Sequence, residues 1–258
     1  MVSSLNPYQF AFNDFLFGAG TPYSVIDVNG LASLPPLRVQ DDNRGYVDGS
    51  YSGRDFYDGR SITFTIVTLG DNSHTAQYYY RALKTALVPQ QIGTPGNLST
   101  FQFRLDSGDT LKTMQGRVRT NDTIIDADYT YGYIQSTLTL YFPDPRYYDN
   151  TVQTGTGNSV SVVNSGWATT CPTITIPTPP SATFSITGAG TTMSFANVNT
   201  SKNIVIDLLY RTITQDSIAA RNILVGSSTW ISVPANTTAS FILSGSGSMT
   251  VTWQNAYI

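Results

Sequence analysis

Three kinds of side chain in this sequence could do chemistry: Asp, His and Cys. Asp126 and Asp128, two apart, would share one face of a strand, and Asp106 and Asp109 flank a turn. A glycosidase needs two carboxyls across the scissile bond, one of them kept protonated by an apolar pocket. The chain contains no Glu, so only the shorter Asp is available for that work. His74 is the single histidine and Cys171 the single cysteine. His74 falls in the first turn of an expected helix with no orienting partner in view. Cys171 precedes Pro172 at the start of an apolar run and reads as a small buried side chain. One Cys excludes an intrachain disulfide and a multi-thiolate metal site. One His excludes a two-histidine site. No Walker loop, GxSxG elbow, HExxH or CxxC occurs. The Gly245–Ser248 run reads as a turn between strands. These residues point to no enzyme, and no cofactor is expected.

The elements that carry these residues follow from composition. All 17 acids are Asp, and three of the 14 basic residues are Lys (Lys84, Lys112, Lys202). Strong helix formers are scarce, while Asp, Asn, Gly and Ser favour turns and Thr and Tyr favour strands. The chain of 258 residues is therefore expected to be mainly β. The net charge is −3 and no Lys/Arg cluster is present, which argues against binding nucleic acid through phosphate neutralisation. No apolar run is long enough to span a membrane, and Met1–Tyr8 lacks the pattern of a signal peptide.

Charge divides the chain. Residues 1–150 hold 15 Asp and 11 basic residues, and residues 151–258 hold two and three. A boundary is expected there, with residues 151–158 (TVQTGTGN) as linker. In the first part, Phe10 and Phe12 against Phe15 and Phe17 suggest a hairpin around Asn13-Asp14. Strands are expected over 24–28, 61–69, 101–105, 111–119 and 134–142. One helix is expected, capped by Asn72 or Ser73, with Ala76, Tyr79, Tyr80, Leu83 and Leu87 at helical spacing and Pro89 at its end. A loop, QQIGTPGN, follows. In the second part, seven strand-like runs separated by Gly, Pro and Asn turns are the signature of a β-sandwich. One of these runs, 203–214, carries Asp207 and Arg211 four apart on one face, a candidate pair for a domain contact.

Residues 40–60 have no apolar pattern, yet hold five Asp, three Arg and three Tyr. Arg44, Tyr46, Tyr51, Arg54, Asp55, Phe56, Tyr57, Asp58 and Arg60 are the types enriched at interface centres. We read the segment as an intersubunit arm. Replacing Arg54 and Arg60 by Ala is then expected to impair ring assembly while leaving the monomer's thermal transition nearly unchanged.

The order of several runs carries a resemblance: FPDPRYY at 142–148, NSGWATTCPTITI at 164–176, IVIDLLYRTI at 204–213, STWISVPANT at 228–237 and MTVTW at 249–253. In this order they make the chain similar to the distal tail protein (Dit) family of long, non-contractile-tailed bacteriophages, most of all to minor tail proteins of actinobacterial phages. The resemblance implies a split β-barrel, the belt domain, with one α-helix over 1–150, and a galectin-like β-sandwich over 151–258. It also implies a structural, non-enzymatic hub: a hexameric ring at the virion tail tip, assembled in the host bacterial cytoplasm. The implied partners are the tail tube, a Tal-like tail-tip protein, the tape measure protein and fibre or receptor-binding proteins. DNA would meet the chain only in transit through the lumen. The competing reading is a carbohydrate-binding module that uses Trp167, Trp230 and Trp253.

Overall fold

A computed structural model describes residues 4–88 and 98–258. The chain divides into two compact units, one reaching Tyr147 and including Ile258, the other comprising Tyr148–Tyr257. Pro89 and the QQIGTPGN loop lie outside the described residues.

In the first unit seven strands form one antiparallel path. Its order is Phe15–Gly18, Gln9–Phe12, Ser99–Arg104, Lys112–Ile124, Tyr133–Phe142, Arg60–Leu69 and Tyr23–Asn29. The hairpin at the start forms because Asn13 and Asp14 both accept positive φ (48° and 66°), as a two-residue turn matched to strand twist requires. Strand Lys112–Ile124 changes partner along its length. Lys112–Gly116 pairs with Ser99–Phe103, and Arg117–Ile124 pairs with Gln135–Tyr141 across an irregularity at Val118/Thr120. The two outermost strands meet through the rings of Phe15 and Tyr23, 4.9 Å apart, without a ladder between them. The sheet thus curls into a barrel that is split along one side.

Its interior is aromatic. Phe64 lies within 5.2 to 5.7 Å of the rings of Phe10, Phe17 and Phe101, and all four are fully buried. The helix Ser73–Ala86 buries Ala76 and Leu83, and Leu87 follows into the core. Asn72 caps it, its Oδ1 accepting from Thr75 N at 3.0 Å.

Arg60 opens a ten-residue core strand, and it is 1% exposed. Its Nη1 donates to the Leu31 carbonyl at 2.8 Å, and its guanidinium lies 5.8 Å from the Tyr147 ring. Nε and Nη2 have no hydrogen-bond partner among the described residues, and burial pulls its pKa below the ordinary arginine value. The expectation that Arg60 belongs to an exposed arm is therefore corrected. The strand begins one residue earlier than its apolar pattern suggests, and the cross-strand pair with Phe142 carries Arg60 into the interior.

In the second unit two antiparallel sheets face each other. One has the order Gln153–Gly157, Met249–Trp253, Thr173–Ile176, Ile204–Asp207, Thr212–Gln215 and Ile218–Ala219. The other has Ser159–Asn164, Thr237–Leu243, Phe184–Gly188 and Thr191–Phe195. Alternate residues of both, such as Val160, Val162, Ile174, Ile176, Phe241 and Val251, fill one core. The expected linker is corrected here, since Gln153–Gly157 is an edge strand paired residue for residue with Met249–Trp253. Its Thr and Gly side chains gave no apolar alternation, which is why it read as linker.

Buried Asn164 fastens the loops at one end of this sandwich. Its Nδ2 donates to the carbonyls of Ala168, Val233 and Pro234, and its Oδ1 accepts from the N–H groups of Gly166 and Ala256. A Cβ on Gly166 would collide with the Ala256 carbonyl, so Gly is required two residues after the Asn. Asp149 ties the unit's first residues to its last, its Oδ2 accepting from Asn255 Nδ2 at 2.9 Å and Tyr257 Oη at 3.1 Å.

Three outcomes are expected. Phe64→Ala should cost about 3–5 kcal/mol in the unfolding free energy measured by denaturant titration. Arg60→Ala should cost about 2 kcal/mol, while Arg60→Met, which fills the same space without a buried charge, should stay within about 1 kcal/mol of the parent. The Tyr257 phenol, partly buried and bonded to Asp149, is pushed up to about 12. In the unfolded chain it ionises near 10.0. Its contribution is therefore complete below pH 10 and is lost as pH rises towards 12. Tyr257→Phe should remove that part of the alkaline decline and cost about 1 kcal/mol at neutral pH.

Candidate functional site

Between the third and fourth strands of the chain's first unit, residues 36–58 leave the barrel, and every one of them is exposed. They form a two-stage hairpin. Leu37–Arg38 pairs with Phe56–Tyr57, and further out Asp42–Asn43 pairs with Ser50–Tyr51. The two legs differ by one residue between the stages. Gly53 absorbs the difference by lying so close to Gln40 that any side chain would strike its carbonyl. The Gly53 N–H donates to Asp41 Oδ1 at 2.8 Å. At the tip, Gly49 (φ +100°) reverses the chain and its carbonyl accepts from Arg44 N.

Among five Asp, the hairpin also carries exposed apolar and arginine side chains. Tyr46 is fully exposed, and Leu37, Val39, Val47 and Tyr51 are each more than half exposed. Arg44 stacks on Tyr51 with its guanidinium 5.1 Å from the ring centre. Arg38 and Arg54 both stack on Phe56, at 5.6 and 5.4 Å. None of these three guanidiniums has a hydrogen-bond acceptor among the described residues. The structure thus brings together Arg44, Tyr46, Tyr51, Arg54, Asp55, Phe56, Tyr57 and Asp58 of the expected arm. It leaves out Arg60, which lies in the core. Arg38 and Leu37, which the sequence reading stopped short of, belong to the arm. The Pro35-Pro36 break ahead of them was the signal that the arm begins there.

The other candidates separate. Asp207 and Arg211 do not share a strand face, and that expectation is corrected. The run 203–214 folds back as a hairpin of Ile204–Asp207 and Thr212–Gln215. Asp207 Oδ1 accepts from the N–H groups of Leu209 and Tyr210, and Arg211 takes φ +55° to close the turn. The apolar Leu208-Leu209 hid that turn from a reading by hydropathy. Asp126 and Asp128 are also not on a strand. Asp126 caps the short 3-10 turn Ala127–Tyr131 by accepting from Asp128 N. Asp106 accepts from Ser107 N in its own turn. His74 is exposed, and Cys171 packs against the sandwich core. An open pocket lined by Pro22, Leu69, Gly70, Asp71, Thr75 and Tyr79 holds one carboxylate, so two-carboxylate hydrolysis has no second group there. Of the three tryptophans, Trp253 is in the core and donates to the Val163 carbonyl, and Trp230 packs on that core beneath Arg221. Trp167 is exposed, edge-on to Tyr257. Among the described residues no cluster of three or more His, Cys or Asp side chains could hold a metal, and no helix is long and apolar enough to cross a membrane.

No family model and no curated protein matches the chain. Solved structures do. The crystal structure of SPP1 Dit (gp 19.1), described as a paradigm of hub adsorption apparatus in Gram-positive infecting phages, superposes with a TM-score of 0.70 at 15% identity. That match covers 97% of this chain and 99% of the other. Two structures of the phage P2 baseplate in its activated conformation, with Ca and with Sr, match at TM-scores of 0.47 over 95% of this chain, at 10% and 9% identity. The split barrel with its single helix, followed by the two-sheet sandwich, therefore constitutes the fold of the SPP1 Dit protein, carried through almost the whole of both chains.

Proposed function

We propose that this chain is a structural hub of a bacteriophage tail tip, without catalytic activity. Copies of it close into a ring, most simply a hexamer, that joins the tail tube to a Tal-like tip protein and to fibre or receptor-binding proteins. The tape measure protein and then DNA pass through the ring's lumen. Two things support the reading: the fold shared with SPP1 Dit, and an arm that the chain cannot bury against itself.

The arm is the observation that carries it. Two ladders of two residue pairs each are marginal in water, because ordering the backbone costs about 1–2 kcal/mol per residue. Rings of Tyr46, Tyr51, Phe56 and Tyr57 exposed along such a hairpin supply the missing apolar area once a neighbour covers them. A projecting element suits a ring subunit, since a heterologous contact joins two different surfaces and repeats around the axis. The first unit carries the arm, and it also carries 14 of the 17 Asp carboxylates. A wall built from it would be neutral or acidic, which lets DNA slide past.

Native mass spectrometry and negative-stain microscopy of the purified chain, and of assembled tails, test this. Rings of a single size are expected. The triple variant Tyr46→Ser, Tyr51→Ser, Arg54→Ala should be monomeric, with its thermal transition within about 2 °C of the parent because the sites are exposed. A chain that is monomeric both alone and within tails would overturn the proposal.

A further inference from the structure

Strands Arg60–Leu69 and Tyr133–Phe142 run side by side over their full length, with Arg60 opposite Phe142 and Leu69 opposite Tyr133. The arm leaves the barrel at the Arg60 end. At the opposite end, roughly 30 Å away for ten residues of strand, lies the connection between strands Lys112–Ile124 and Tyr133–Phe142. That connection is a second exposed apolar surface. Ile124, Ile125 and Tyr131 are 55%, 63% and 81% exposed. Around them stand Asp122, Asp126 and Asp128, all exposed. Residues 120–132 contain no basic residue, and no ion pair reaches these three carboxylates among the described residues.

The two surfaces complement each other. The arm offers aromatic rings and three guanidiniums, Arg38, Arg44 and Arg54, whose donors find no acceptor among the described residues. The 122–131 surface offers apolar side chains and three carboxylates that no ion pair reaches among the described residues. Arg–carboxylate bonds formed over aromatic faces are strong and directional. Of the arm's own acids, Asp41 and Asp58 are engaged by the N–H groups of Gly53 and Gly59. Asp42, Asp48 and Asp55 oppose the approach, so recognition depends on the guanidinium–ring pairs rather than on net charge.

We infer that the arm of one copy seats on the Asp122–Tyr131 surface of the next copy, with Arg44 and Arg54 meeting Asp122 and Asp128 beside Ile125 and Tyr131. This rests on the ring reading above and names its contact. Giver and receiver stand at opposite ends of one strand, as a head-to-tail repeat requires.

A charge swap in the full chain tests it. Asp122→Lys with Asp128→Lys should weaken ring formation at least about tenfold in native mass spectrometry, and so should Arg44→Asp with Arg54→Asp. The chain carrying all four changes should recover rings. Neither aspartate caps a helix through its side chain, so the thermal transition should not move. A second measurement is independent of charge: the double variant Tyr46→Cys, Ile125→Cys should form intermolecular disulfides that single variants, with native Cys171, do not. If the parent forms rings and the lysine variant forms them equally well, or the fourfold variant fails to recover, this contact is wrong while the ring reading stands. Loss of tail-tube attachment with rings intact would likewise overturn it, by assigning the surface to the tube protein. A parent chain that forms no rings either alone or within tails, with no cross-link in the double cysteine variant, overturns both.

Discussion

Much of the first unit depends on one register: the ten consecutive pairs between Arg60–Leu69 and Tyr133–Phe142, which show no slip. A shift by one residue would turn Ile62, Phe64 and Ile66 out of the barrel and bring their threonine neighbours in. The aromatic cluster around Phe64 therefore fixes the pairing, and the pairing fixes everything attached to its ends. The helix lies against these two strands. The arm springs from one end and the acidic, apolar turn stands at the other. A side chain chosen for packing at position 64 thus sets the separation of two surfaces that never touch within the subunit.

The second unit solves a different problem. Its strands carry almost no charge, and its loops are long relative to its sheets. Order comes from polar side chains that act as fasteners. Asn164 uses both ends of its amide on five backbone groups, and Asp149 gathers the two ends of the unit. Such nodes are costly if any one bond is missing, because the groups are desolvated. They also explain why sequence runs without catalytic types, such as Asn164-Ser165-Gly166, can have a fixed spacing: each residue answers to a particular carbonyl or steric limit.

Much of this was legible in the sequence, for identifiable reasons. The Phe10–Phe17 hairpin showed because aromatic alternation and Asn13-Asp14 agree. The helix showed because Asn72 caps a run of correct period. The exposed hairpin showed by contrast, as a stretch with no core pattern. The failures are equally specific. Gln153–Gly157 pairs through its backbone and has no apolar face to reveal it. The turn after Asp207 is lined by leucines, so hydropathy ran straight through it. Arg60 looked like one more exposed arginine because its burial depends on a cross-strand partner eighty-two positions away. The surface around Ile125 was read only as part of a carboxylate pair, since its meaning comes from where the register places it.

Asn164 has a consequence beyond packing. Asparagine side chains age in water: the following backbone nitrogen attacks the amide carbon, ammonia leaves to give a cyclic imide, and water opens that ring to a charged carboxylate. That attack needs a free amide rotor and a mobile backbone. Asn164 has neither, since its Oδ1 and Nδ2 are both held and the residue is 1% exposed. Asn29, exposed at the end of its strand and followed by Gly30, has no hydrogen bond on its side-chain amide among the described residues. Chemical wear over a long idle life should thus begin at a turn on the first unit's surface. The joint that keeps the sandwich's loops together would keep its neutral amide long after, so the same five bonds that close the fold also act as its preservative.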